Sequence, residues 1–141
     1  MNVKKVIINV DGAARGNPGP AAIGAVIKDE DGNTVGRISR SIGVSTNNQA
    51  EYRAIIAALE KVISAGIKQV EVKSDSELVV EQVNGRYKIK NTALRPLYQQ
   101  VVRLTGKLES FAITSVPREQ NTEADTLANK ALDRPQTHRI Y

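Results

Sequence analysis

The sequence predicts an α/β fold: a five-stranded mixed sheet, three antiparallel strands followed by parallel crossovers, with helices on both faces, in the order βββαβααβα. Three observations lead there. Three β-patterned runs follow one another near the start with short links between them. The apolar period then switches from 2 to 3.6. The strands that remain alternate with helices, which requires β–α–β crossovers and so parallel pairing.

Val3 to Val10 reads as the first strand, with Val6, Ile8 and Val10 on one face and Ile7 on the other. Apolar residues on both faces predict a central strand, covered on each side. Gly12 to Pro20 holds three glycines and two prolines and reads as a loop. Ala22 to Lys28 and Thr34 to Ile42 form a hairpin around Asp29-Glu30-Asp31-Gly32-Asn33. From Asn48 to Ala65 the apolar residues Ile55, Leu59, Val62 and Ile63 recur at helical spacing, and Gly66 ends the run. Val70 and Val72 mark a fourth strand. Ser76 to Val83 is helical up to Asn84-Gly85, and a second helix spans about Thr92 to Leu104 with Pro96 in its first turn. Phe111 to Val116 is the fifth strand, closed by Pro117. Thr122 to Leu132 is the last helix, striped by Ala124, Leu127, Ala128 and Ala131. Residues 1–133 are expected to form one domain, with 134–141 a loose tail.

Composition excludes several chemistries. There is no cysteine, and the single histidine is His138, near the end of the 141 residues. Disulfides, thiolate sites, histidine triads and zinc clusters are therefore not expected, which leaves carboxylates, hydroxyls, amides, Lys and Arg. No apolar run reaches the ~20 residues that cross a bilayer, and the first residues have no signal-peptide core. The expectation is a cytoplasmic protein acting as a monomer. Net charge is +5, and Arg86 to Lys107 carries six basic residues and no acid, a stretch suited to a polyanion.

Four carboxylates stand out. Asp11 closes the first strand, where a lone Asp commonly caps the loop that follows. Glu51 lies four and eight residues before Ile55 and Leu59, on the core-facing stripe, although its place near the helix start could also serve the dipole. Asp75 follows the fourth strand, within a Ser-Asp-Ser segment suited to helix capping. Asp125, three residues after Thr122, taken singly reads as a cap. Two acids ending strands and two beginning helices can meet at one sheet edge. Clustered carboxylates repel, and a divalent cation removes that cost. Hard oxygen donors select Mg2+ or Mn2+, and the natural chemistry is two-metal phosphodiester cleavage.

Asp11-Gly12-Ala13-Ala14-Arg15-Gly16-Asn17-Pro18-Gly19, Thr46-Asn47-Asn48-Gln49-Ala50-Glu51, Ser74-Asp75-Ser76 and Asn121-Thr122-Glu123-Ala124-Asp125-Thr126-Leu127-Ala128 resemble the type 1 ribonuclease H family, in the family's order and over nearly the whole chain. The resemblance implies a ribonuclease H-like fold and an endonuclease that cuts the RNA strand of an RNA–DNA hybrid, leaving 5′-phosphate and 3′-hydroxyl ends. It implies that Asp11, Glu51, Asp75 and Asp125 hold two Mg2+ ions, Asp11 bridging both. It further implies that Gly12, Gly16, Asn17, Thr46, Asn47 and Asn48 meet the hybrid, largely through RNA 2′-hydroxyls. The glycines also serve turns, and Asn47 or Asn48 can cap a helix.

Two departures mark an archaeal-like branch. The loop before the last helix, Val116 to Asn121, has no histidine, and Arg118 is the candidate in its place. The basic, tryptophan-bearing helix of some relatives is missing, and Lys88 and Lys90 are expected to grip the DNA strand instead. The alternatives are a non-catalytic nucleic-acid-binding module on the same fold, another metal-dependent nuclease of the superfamily, or a general phosphatase. A pure binder gains nothing from acids near phosphates.

Overall fold

A computed structural model describes residues 3–134 of the chain. The strands are β1 (Lys5–Ala14), β2 (Gly19–Lys28), β3 (Thr34–Ser45), β4 (Gln69–Ser74) and β5 (Ser110–Ser115). The helices are α1 (Asn47–Ser64), α2 (Glu77–Val83), α3 (Arg95–Thr105) and α4 (Thr122–Asp133), the last preceded by a 3-10 turn at Arg118–Gln120. The order βββαβααβα is the expected one. Of the proposed tail, Arg134 is described and residues 135–141, with His138, lie outside the described residues.

The five strands run in the order β3-β2-β1-β4-β5. β1 is central, antiparallel to β2 and parallel to β4. Val6, Ile8 and Val10 are fully buried on the face toward α1, where they join Tyr52, Ile55 and Leu59 in the core. Each such aliphatic side chain contributes about 1.5–3 kcal/mol when buried. α2 and α3 pack beside α1, and the buried Tyr52 hydroxyl donates to Gln82 Oε1 at 2.8 Å, which keeps two polar groups satisfied inside. Among the described residues, α4 alone lies on the opposite face, against β1, β2 and β3. Its buried residues are Ala124, Ala128 and Ala131.

Several boundaries differ from expectation. β1 continues to Ala14 because Asp11, Gly12, Ala13 and Ala14 pair with Gly24, Ile23, Ala22 and Ala21 of β2. Cross-strand hydrogen bonding outweighs the weak strand propensity of Gly12, so the true loop is only residues 15–18. α3 starts at Arg95 rather than near Thr92: Asn91 holds the Ala93 N–H in a turn, and Pro96 then falls at the helix start.

Two glycines set how closely the helices sit. A Cβ on Gly12 would lie 2.2 Å from the Ala50 carbonyl carbon and 2.4 Å from Glu51 N, so α1 rests backbone to backbone on β1. A Cβ on Gly24 would lie 2.2 Å from the Ala124 carbonyl oxygen and 2.6 Å from Ala128 N, so α4 does the same on β2. Gly24 is the cross-strand partner of Asp11, and Gly12 follows it in sequence. The seats of both helices therefore flank one carboxylate.

Candidate active site

The ladder between β1 and β4 ends at Val10 and Ser74, while the one between β1 and β2 runs on. Asp11 thus stands within its strand, not at the end of it, just beyond the point where β4 stops. Asp75 follows β4 at the same level. Both lie at the carboxyl ends of parallel strands, where open sheets bind ligands. The carboxylates of Asp11, Glu51 and Asp75 approach within 4.8 Å of one another, and Asp11 and Glu51 are only 6% and 5% exposed.

Glu51 is held inside by design of its neighbours. Thr46 and Gln49 form a capping box that fixes the start of α1. Glu51 is past the first turn, so the helix-dipole reading of it is set aside. One of its oxygens accepts the Gly12 N–H at 2.9 Å and the other accepts the hydroxyl of the fully buried Ser74 at 3.1 Å. Asp75 does not cap α2, because Ser76 does. Asp125 does not cap α4 either: Asn121 occupies that position, and the Asp125 carboxylate accepts instead from Asn129 Nδ2 at 3.1 Å.

The cluster is electrostatically costly. Burial, then the hydrogen bond and charge of Glu51, then Asp75 and Asp125, push the Asp11 carboxyl far above the ordinary carboxylate range. Burial also raises Glu51, with Asp75 adding to it, while the hydrogen bonds from Gly12 and Ser74 work in the opposite direction. An all-oxygen donor set with this much repulsion fits a hard divalent cation, which supplies the missing positive charge.

These acids line a cleft of about 440 Å³ together with Gly12, Asn47, Asn48, Arg118, Asp125 and Asn129. The other expected substrate residues divide. The Gly12 N–H is used by Glu51, so its amide serves the acid and its missing side chain admits α1. Thr46 spends its hydroxyl on the cap. Neither Asn47 nor Asn48 caps: Asn47 Oδ1 accepts from Ala14 N at 3.0 Å, and Asn17 Oδ1 accepts from Asn47 N at 3.0 Å. Gly16, the second residue of the turn, has φ of 103°, which a side chain would resist. Lys88 and Lys90 are not brought to this cleft. They are exposed after α2, where Lys88 borders a separate cavity of about 520 Å³ with Arg86, Tyr87, Arg95 and Tyr98.

Three contributors escaped the sequence reading as individuals. Asn121 is 1% exposed, donates to the Val10 carbonyl at 2.8 Å and accepts from Asn9 at 3.0 Å, tying the start of α4 to β1 beside Asp11. Ser74 orients Glu51. Both lie inside the motifs, but their bonds join residues distant in sequence. Asn129, four residues after Asp125, carried the one local signal, since helical residues at that spacing are neighbours.

Comparison with known proteins agrees with this geometry. A family model described as reverse transcriptase-like matches residues 9–131. Ribonuclease HI of Halobacterium salinarum is 46% identical over 123 residues, covering 87% of this chain and 62% of that protein. A bifunctional protein of Mycobacterium tuberculosis is 46% identical over 130 residues, covering 92% of this chain but 36% of its own length. The chain thus spans about a third of the mycobacterial relative and under two thirds of the halobacterial one. The crystal structure of the Halobacterium RNase H1 superposes with a TM-score of 0.89 at 44% identity, covering 92% of this chain and 98% of that one. LC11-RNase H1, solved in complex with an RNA/DNA hybrid, gives 0.87 at 44% identity, covering 91% and 96%. Strand order, acidic cleft and sequence identity converge: the chain belongs to the ribonuclease H family.

Proposed function

We propose that this protein is an endonuclease that hydrolyses the RNA strand of RNA–DNA hybrids at a site holding two Mg2+ ions, with Mn2+ able to substitute. The observation that carries the reading is the meeting of Asp11, Glu51 and Asp75 within 4.8 Å, in a cleft that Asp125 and Arg118 also line. Support comes from the similar LC11 enzyme, solved with an RNA/DNA hybrid. Asp11, Glu51, Asp75 and Asp125 would hold the divalent ions, which when bound would supply Lewis-acid chemistry for the attacking water and the leaving 3′ oxygen.

The chain's own residues do the rest. Asp11 is the central ligand. Glu51 is pre-oriented by Gly12 and Ser74, and Asp75 and Asp125 complete the donor set. Asn47 and Asn48, with the Gly16-Asn17 turn, face the RNA strand and read its 2′-hydroxyls. Lys88 and Lys90 take phosphates of the DNA strand, and Arg118 attracts the scissile phosphate. In this reading residues 1–133 are the catalytic unit, 134–141 a tail, and the protein works in the cytoplasm as a monomer. No helix among the described residues is long and apolar enough to cross a membrane.

Labelled hybrid, duplex DNA and duplex RNA incubated with Mg2+ test it. Cleavage of the hybrid's RNA strand to 3′-hydroxyl ends is the expected result. Binding without cleavage would favour the non-catalytic module, and cutting of duplex DNA another nuclease of the superfamily. Elution of the protein at twice its 15.3 kDa mass would end the monomer reading.

A further inference from the structure

The cleft has a rim of hydrogen bonds that joins its fourth acid to the turn after β1. Asn129 Nδ2 donates to the Asp125 carboxylate at 3.1 Å and to the Asp125 carbonyl at 3.0 Å. Asn129 Oδ1 accepts from the Arg15 guanidinium at 3.4 Å, and the same guanidinium pairs with Asp133 at 2.6 Å. Arg15 opens the four-residue turn that carries Gly16 and Asn17. The turn and the strand end before it are both bonded to the start of α1: Asn17 Oδ1 accepts from Asn47 N, and Asn47 Oδ1 accepts from Ala14 N.

Resting on the function just proposed, we infer that Asn129 is a positioning residue for Asp125, and that Arg15 fixes its orientation from the turn that meets the RNA. Asp125 is exposed, so its carboxylate has rotamers to lose when a cation binds. A donor already holding one oxygen removes part of that cost beforehand. The donor is a neutral amide, so it orients the carboxylate without competing against a cation as Lys or Arg would. An amide can also present its oxygen instead, which would repel Asp125. Arg15 decides the matter: a guanidinium only donates, so it requires the Asn129 oxygen on its own side and turns the nitrogen to Asp125. The charge of Arg15 is balanced by Asp133, which leaves its effect on the acid an orienting one. Contact of RNA with the turn is thereby linked to the readiness of Asp125.

The test compares wild type, Asn129→Ala, Arg15→Ala, the double variant and Asn129→Gln. Mn2+ affinity is read from the paramagnetic signal of free Mn2+ on protein without nucleic acid, and kcat and KM are measured on one hybrid across Mg2+ concentrations. Asn129→Ala should weaken Mn2+ binding about tenfold, within the range found when the partner of a metal ligand is removed. It should lower kcat at fixed Mg2+, leave KM for the hybrid nearly unchanged, and recover as Mg2+ is raised. Arg15→Ala should shift Mn2+ binding in the same direction by less, and the double variant should bind like Asn129→Ala, because Arg15 acts through Asn129. Asn129→Gln should restore part of the affinity. A purely structural role would lower the melting temperature in EDTA and leave Mn2+ binding alone. Wild-type Mn2+ affinity in Asn129→Ala, or additive losses in the double variant, overturns the inference. Wild type failing to cut hybrid while Asn129→Ala still loses Mn2+ overturns the function and not the relay.

Discussion

At the scale of the residue, the site is an arrangement of acids that the fold makes expensive. Asp11→Asn should reduce Mg2+-dependent cleavage to below a few per cent of wild type, since it removes the proposed central ligand. The same change relieves repulsion, so the melting temperature in EDTA should hold or rise. Burial and neighbouring carboxylates raise Asp11 and Glu51 above the value near ~4 they have in the unfolded chain. The folded protein therefore keeps protons that the unfolded chain has released. Their contribution to stability is full below about pH 4 and is lost as pH rises through the folded values. Denaturant melts in EDTA should record that loss, and saturating Mg2+ should flatten it. An equal slope with and without Mg2+ would detach these acids from cation binding. Arg118 is on the rim and has no side-chain partner among the described residues. Arg118→Ala should lower turnover with hybrid affinity nearly unchanged, and Arg118→His should recover part of the rate with a pH dependence near ~6.5. Arg118→Lys should recover less, lacking the planar fork. Equal single-turnover rates in all four proteins would make Arg118 a plain surface charge. The four acids were legible as a set: singly, Asp11, Asp75 and Asp125 each had an ordinary capping role, but two acids ending strands and two beginning helices converge on one sheet edge. Ser74 and the Gly12 amide, which orient Glu51, and Asn121, which ties α4 to β1, were not, because each bond crosses more than 20 residues of sequence.

At the scale of the element, the sequence pattern located the five strands and four α-helices but not the 3-10 turn at Arg118–Gln120, and the boundary errors have different causes. β1 was read too short because Gly12 looks like a breaker; its length comes from β2, which local sequence does not show. The same invisibility applies to the glycine seats. Gly24 sits mid-strand, where nothing in its own neighbourhood reveals that Ala124 and Ala128 will press on it. Gly24→Ala should force α4 outward, at about 1–3 kcal/mol for overpacking of this kind. Because the displaced helix carries Asp125, cleavage measured well below the melting point should fall further than stability does. A folded Gly24→Ala protein that cuts hybrid at the wild-type rate would show that the seat does not set the acid's place.

At the scale of the whole molecule, negative charge is gathered in the cleft and positive charge in the stretch from Arg86 to Lys107. Arg86 itself is paired with Glu81 through two hydrogen bonds, 2.6 and 2.9 Å, and is the least available of that stretch. Among the described residues, Lys88 and Lys90 form no such pair. Replacing both with Ala should weaken hybrid binding and flatten its salt dependence by roughly one ion for each lost phosphate contact. The rate of the bound complex should stay near wild type. An unchanged salt slope would place both lysines off the substrate. The two faces of the sheet also differ in how firmly they are dressed. α1 is anchored by Tyr52, Ile55, Ile56 and Leu59, and α4 by three alanines, each worth only about one methyl group of burial, plus polar ties such as Ser39 to Leu127. Local opening follows the weakest anchorage rather than the mean. On warming, the protein should therefore shed its last helix first, and with it the fourth acid, while the sheet and α1 persist. Catalysis would then switch off in a molecule that is still mostly folded, and heat inactivation would be reversible so long as the larger core survives to receive the helix again.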